Sequence, residues 1–363
     1  MQLEYYLWLQ DIKGCGNCKI AKLLNEFNDP RYIYEIKEFD ELLQIEGISF
    51  GIANAIIYNK SLDKYKKLAD DIRDSEIKYI TSQDESYPSL LREIDDYPSV
   101  LFYKGKNILK EYMPAVAMVG TRNATPYGTY VSCKLASSFA RSGVTVVSGL
   151  ASGIDAHAHR SVLGENGTTI AVLGCGVDVV YPYSNKELYN KIIEKGGMII
   201  SEYLPGTKPV QFNFPQRNRI ISGLSMGTVV VEASKKSGSL ITARMAAEQG
   251  RDVFAVPGNI TQQSFVGCNQ LLQDGAKLVT NAQDVLSELL PMYKPEMRKE
   301  QTVKINLNDA EKNIIKAINC GYNTVNDISK YLKVPINLVN SNLTMLEIKG
   351  AVSVEMGIVY IIF

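Results

Sequence analysis

The chain has 363 residues, 45% of them hydrophobic and 21% charged, with Lys plus Arg and Asp plus Glu each totalling 39. This composition excludes a disordered chain and a globally basic nucleic-acid binder, so any anion site must be local. The length suffices for a large core with one or two small domains.

The opening segment, M-Q-L-E-Y-Y-L-W-L, is too short for a secretory signal and carries Glu4 where such a signal is basic. No apolar run long enough to span a bilayer follows, so a cytoplasmic protein without membrane contact is expected. Six cysteines, Cys15, Cys18, Cys133, Cys175, Cys268 and Cys320, are scattered along the chain and form no disulfide framework. Cys15-x-x-Cys18 has no second close pair, and the only histidines, His157 and His159, lie far away. Neither a metal nor a cofactor is expected.

Residues 1–75 read as short helices with glycine turns. I-K-G-C-G-N-C-K-I-A-K-L-L from Ile12 echoes I-E-G-I-S-F-G-I-A-N-A-I-I from Ile45, the pattern of a helix-hairpin-helix or SAM-like domain, whose glycine amides can face a phosphate. Ten basic against thirteen acidic side chains in this region favour a packed helical bundle over a DNA contact.

From 76 to 290 short β-branched runs alternate with amphipathic helices. The runs are Ala115–Val119, Val144–Ser148, Thr169–Leu173, Met198–Ser201, Thr228–Glu232, Val253–Val256 and Lys277–Thr280. Helical stretches between them, such as S-L-I-T-A-R-M-A-A-E-Q-G, imply crossover connections. The fold class expected is α/β: a doubly wound, Rossmann-like parallel sheet with its ligand outside the carboxyl ends of the strands. P-M-Y-K-P-E-M-R-K-E-Q opens a linker over 291–307. Residues 308–363 read as three helices and a strand pair turning near Gly357, a winged-helix domain. Its third helix carries only Lys349 as a basic residue, which favours protein contact or regulation over groove reading.

The strand ends carry the chemistry. V-G-T-R presents Gly120, Thr121 and Arg122; S-G-L-A-S-G presents Ser148, Gly149 and Gly153; V-E-A-S-K-K-S-G-S-L-I-T presents Lys235, Lys236, Ser237, Gly238, Ser239 and Thr242. Glycine amides, hydroxyls, helix N-termini and cations together suit phosphates. In F-P-Q-R-N-R-I-I-S-G, Arg217, Asn218 and Arg219 precede the turn into T-V-V-V-E and are expected to project over the same edge. The alternative is that one arginine pairs with Glu232 or Asp155. Residues 200–280 hold eight basic and five acidic side chains, a mild local surplus. Phe212, Phe214 and Phe265 are assigned to the core, with stacking on a base open to any that is exposed.

Catalysis finds little support. No G-x-x-x-x-G-K-[ST] occurs, and Gly174-Cys175-Gly176 lacks the third glycine of a dinucleotide fingerprint. His157 and His159 lack a nucleophile elbow. Glu232 is either a base or, more in keeping with a buried carboxylate's need for partners, a clamp on the Ser237–Ser239 loop.

Five motifs in order, G-T-R, S-G-L-A-S-G-I-D-A-x-A-H, A-V-L-G-C-G-V-D-x-x-Y-P, F-P-Q-R-N-R-I-I-S-G-L-S and V-V-E-A-S-x-x-S-G-S-L-I-T-A, closely resemble the DNA-processing protein A family, also called Smf. The resemblance is dense over about 80–290. It implies a non-enzymatic, cytoplasmic homodimer that binds single-stranded DNA entering during natural transformation, shields it and loads the RecA recombinase on it. Arg122 matches the arginine of the family's G-S/T-R motif, and Arg217, Arg219, Lys235 and Lys236 match basic positions around its DNA pocket. Two rival readings remain: a Rossmann-like nucleotide phosphoribohydrolase of the lysine-decarboxylase-like type, whose P-G-G-x-G-T is absent, and a winged-helix regulator whose core senses a nucleotide.

Overall fold

The structure, a computed structural model, describes residues 3–109, 114–291, 307–349, 351–355 and 357–361. The linker expected at 291–307 lies, but for its end residues, outside them. The chain divides into two compact units, Met1–Met297 and Arg298–Phe363.

The first unit is built on a nine-stranded sheet: β1 (Lys78–Thr81), β2 (Val100–Gly105), β3 (Ala115–Val119), β4 (Thr145–Ser148), β5 (Thr169–Val172), β6 (Met198–Ser201), β7 (Gly227–Val230), β8 (Asp252–Ala255) and β9 (Lys277–Leu278). Their spatial order is β1-β2-β6-β5-β4-β3-β7-β8-β9. All pairs from β6 to β9 are parallel, whereas β1 with β2 and β2 with β6 are antiparallel. The chain winds from β3 outward to β6, then returns to the other side of β3 as β7. The crevice between the ends of β3 and β7 is therefore the topological switch point.

Both faces of the central strands β3 to β7 are covered, which is why these read as largely apolar runs. Along β3, Ala115, Ala117 and Val119 face a core shared with Ile220, Ile221, Leu224 and Ala243. Val116 and Met118 face the opposite core, with Phe139, Val162 and Val285. The helices Asn213–Gly223 and Ser239–Glu248 thus cover one side, and Pro126–Arg141, Ile154–Gly164 and Ala282–Leu289 the other.

Six short helices from Leu3–Gln10 to Asp63–Arg73 precede the sheet. Trp8, Leu24, Ile33, Ile52 and Ile56 gather in a core that also takes Val100 and Phe102 of β2, so packing is continuous across residue 75. In the two echoing segments Gly14 and Gly47 hold φ of 81° and 87°, a conformation open to glycine without steric cost.

The second unit comprises the helices Asp309–Asn319, Val325–Leu332 and Ile336–Ile348 and an antiparallel pair, β10 (Val352–Glu355) with β11 (Ile358–Ile361). Ile314, Ile328, Val339, Leu346, Val352 and Val359 form its core. Asn308 and Glu311 close a capping box at the first helix, and Lys349 binds that same Glu311 at 2.7 Å. Among the described residues no helix is long and apolar enough to cross a membrane.

Candidate nucleic-acid interface

The loops leaving β3, β4, β5 and β7 meet at the carboxyl edge of the sheet. Gly120 and Gly153 let the first two approach one another. A Cβ on Gly120 would lie 2.5 Å from Ile154, and one on Gly153, at φ 76°, would lie 2.3 Å from the carbonyl oxygen of Thr121. Over this junction Arg122 is exposed, its guanidinium 5.8 Å from the centroid of the Phe214 ring. Phe214 in turn packs 5.2 Å from Tyr181, and Gly174 makes room for it, since a Cβ there would lie 2.8 Å from the ring. A cation and two aromatic rings from three separate segments therefore converge. Phe265 is fully buried, as assigned from the sequence, but Phe212 is 68% exposed and Phe214 is only half-buried.

On the far side of β3, the loop after β7 exposes Lys235, Lys236 and Gly238. Its hydroxyls turn inward. Ser237 and Ser239 are bonded to each other at 2.8 Å, the Ser239 amide donates to Ser237 Oγ at 3.4 Å, and Thr242 is buried. Ser148, also buried, donates its hydroxyl to Met118 O at 2.6 Å. Among the described residues no carboxylate lies within ion-pairing distance of Arg122, Lys235 or Lys236.

Glu232 departs from the sequence expectation. Its carboxylate does not clamp the Ser237–Ser239 loop; Oε2 accepts from the amide and hydroxyl of Thr125 at 2.9 and 3.0 Å. Thr125 caps the helix Pro126–Arg141, and the absent side chain of Gly128 clears the space, for a Cβ there would fall 1.9 Å from Oε2. The chain's own carboxylate thus occupies the positive end of the first crossover helix, at the switch point.

The arginines differ more. F-P-Q-R-N-R-I-I-S-G lies in a helix, Asn213–Gly223, so Arg217 and Arg219 point about 160° apart around its axis. Both are buried, at 5% exposure, instead of projecting into solvent. Arg217 reaches the carboxyl edge from beneath: Nη1 donates to Gly149 O at 3.0 Å and to Val172 O, and Nε to Asn218 Oδ1 at 3.3 Å. Asp155 faces it and accepts from the amides of Gly149 and Ala151 at 3.0 and 3.4 Å. Burial lowers the Arg217 guanidinium to about 10 and pushes Asp155 above the usual carboxylate range, against the pull of Arg217. Arg219 binds Glu202 at 2.6 Å and Asp96 at 2.9 Å, an internal ion pair.

The loop after β4 that these groups brace is itself strained. Leu150 sits at φ 55°, costly for a side chain of that size, and Asn185 Nδ2 holds its carbonyl at 2.9 Å. His159 takes no part in the edge. Thr169 donates its hydroxyl to Val146 O at 2.7 Å, so the 2.7 Å contact between His159 Nδ1 and Thr169 Oγ1 needs the proton on the imidazole. Burial lowers the His159 pKa to about 3, and the ring is neutral.

A family profile described as DNA recombination-mediator protein A matches residues 78–290. The chain is 42% identical over 282 residues to the DNA processing protein DprA of Streptococcus pneumoniae, spanning 75% of this chain and 98% of that protein. It is 38% identical over 288 residues to Protein Smf of Synechocystis, spanning 78% and 72%. The X-ray structure of the Streptococcus pneumoniae protein superposes with a TM-score of 0.67 at 38% identity, covering 78% of this chain and 97% of that one. The Helicobacter pylori DNA processing protein A, whose structure is described for its single-stranded DNA binding mode, superposes with a TM-score of 0.54 at 32% identity, covering 60% and 98%. With a profile spanning the whole sheet and relatives at this identity, the chain belongs to the DNA recombination-mediator protein A family.

Proposed function

We propose that this chain binds single-stranded DNA along the carboxyl edge of its sheet, without hydrolysing it. The observation that carries the reading is Arg122, an exposed cation with no carboxylate partner among the described residues, set over the half-buried Phe214 ring. Such a pair offers one charge to a phosphate and one face to a base. Lys235 and Lys236 extend the charge across β3 to β7. Gly238, exposed ahead of the helix Ser239–Glu248, supplies backbone that a phosphate can approach, whereas the Thr121 amide is given to Glu232 O at 2.8 Å and Gly120 serves the close approach of the loops. Arg217 and Asn218 serve the site by bracing the loop after β4, whereas Arg219 is committed to Glu202 and contributes no phosphate contact. Internal commitment of Glu232, His159 and Asp155 favours binding over the phosphoribohydrolase alternative.

Membership of the family supports the finer assignment: a cytoplasmic homodimer that shields an incoming strand and hands it to the RecA recombinase. The second unit serves as a winged-helix module for protein contact, since Lys349 is engaged by Glu311. The N-terminal helices act as a packing module of helix-hairpin-helix or SAM-like type.

Fluorescence anisotropy with single-stranded and duplex oligonucleotides at several salt concentrations tests the proposal. Single strands should bind ahead of duplex of equal length. Arg122→Ala should weaken binding and lower the salt slope by about one unit or less, the signature of one released counterion, with the melting temperature unchanged. Equal affinity for duplex at every salt concentration would sink it.

A further inference from the structure

We infer that Tyr181, Tyr183 and Lys186 form a second seat for the same strand, carrying it from the Arg122–Phe214 pair across the end of β5; this rests on the single-strand reading above. Three observations lead there. Tyr181 is 40% exposed and touches Phe214 at 5.2 Å, so the aromatic surface continues past the first seat without a break. Two residues on, Tyr183 is 74% exposed and carries the Lys186 ammonium 5.4 Å from its ring centroid, repeating the cation-and-ring arrangement of Arg122 and Phe214. The segment is also anchored: Asn185 is buried and its Nδ2 donates to Leu150 O and Ala151 O at 2.9 and 3.3 Å, tying it to the loop that Arg217 and Asp155 brace.

The Tyr183 ring stands in water on a pinned backbone, beside a cation. Ordering cost on binding is low for such a platform, because a tyrosine has few rotatable bonds and its main chain is already fixed. Charge favours the same ligand. Glu187, the nearest acid in sequence to Lys186, is held by Lys191 at 2.6 Å, which leaves Lys186 to face a phosphate, and Arg160, exposed, reaches Asn185 Oδ1 at 3.4 Å from the helix Ile154–Gly164. From Lys235 and Lys236 after β7, past Arg122 after β3, to Tyr183 after β5, the edge crosses three strand spacings, roughly 14 Å. That is a path for a strand, with rings at its centre and one end and cations throughout.

The test compares parent, Tyr183→Ala, Tyr183→Phe, Lys186→Ala and Arg122→Ala with oligothymidylates of about four and about ten nucleotides, lengths that bracket a small single-strand site. Tyr183→Ala should weaken the longer oligonucleotide by about tenfold, the loss of one base stack, with the salt slope unaltered and the shorter one little affected. Tyr183→Phe should restore it. Lys186→Ala should lower the slope by about one unit or less. Melting temperatures should stay at the parent's, since both side chains are exposed. If Arg122→Ala weakens binding while Tyr183→Ala binds the longer oligonucleotide as tightly as the parent, the second seat is refuted and the single-strand reading stands. If the parent binds neither oligonucleotide, both fall.

Discussion

Arg219→Met separates an internal ion pair from a DNA contact. The Arg219 side chain is 7% exposed and that of Glu202 is 9% exposed, so the substitution leaves a buried carboxylate with only Asn17 Nδ2, at 2.8 Å, on the oxygen that Arg219 held. Breaking a buried pair from one side costs about 3–5 kcal/mol. Asp96, at 44% exposure, adds less than about 1 kcal/mol. For a cooperative unit of this size each kcal/mol displaces the midpoint by roughly 2 °C, so the variant should melt about 6–10 °C early. Burial already raises the Glu202 pKa against the pull of Arg219, and losing the arginine raises it further. A carboxyl whose folded pKa lies above its unfolded value loses stability as pH rises past the unfolded value. The deficit should therefore be largest at neutral pH and narrow towards pH 4. Adding Glu202→Gln should recover part of the loss, because the stranded charge is then gone. Differential scanning fluorimetry across pH reads the stability, and anisotropy well below the midpoint reads the DNA. A variant that melts with the parent yet no longer binds single strands would refute the internal assignment and restore Arg219 to the interface.

The neutral, buried His159 makes a pH prediction. Its folded pKa of about 3 lies below the unfolded value of about 6.5, so the unfolded chain binds the extra proton between them, and stability should fall by about 1.4 kcal/mol per pH unit as pH drops below 6.5. In urea titrations at pH 7 and 5, His159→Gln should remove that component; an unchanged slope would reject it. Gly128→Ala should destabilise by about 1–3 kcal/mol, since its Cβ would fall 1.9 Å from Glu232 Oε2, and Glu232→Ala in the same chain should relieve part of the strain. Removing residues 298–363 should leave single-strand affinity largely intact; a loss as large as that of Arg122→Ala would make the second unit a DNA surface.

The seven parallel strands were legible within a residue or two, β3 to β7 because burial on both faces writes them as continuous apolar runs between helices. β1 and β2 were not. K-Y-I-T and V-L-F-Y-K-G are joined without a crossover helix, and β2 owes its place to antiparallel pairing with β6, far along the chain. The cations were found as residues but not as environments. Arg122 and Arg219 look alike in sequence; one meets solvent and an aromatic ring, the other meets Glu202 and Asp96, and only the tertiary fold distinguishes them. Placing both Arg217 and Arg219 ahead of the turn into T-V-V-V-E, without the helix that carries them, hid that they point apart. Phe214 was assigned to the core with base stacking left open, and Gly174 and Tyr181 hold it half-buried at the rim.

Glu232 gives the sheet a permanent occupant where this architecture ordinarily takes a visitor. Because the carboxylate at the head of the Pro126–Arg141 helix is covalently part of the chain, its local concentration does not vary with the metabolic state of the cell. A free nucleotide, which shares its phosphates with the polymer, would meet a helix end already occupied by Thr125 and Glu232. On the same reading, what remains for an anion lies outside, along the rim. There a lone nucleotide engages one position at a time, whereas a polymer engages several together. On the single-strand reading proposed above, selection between monomer and polymer would follow from multivalency, with no gate, lid or chemical step required.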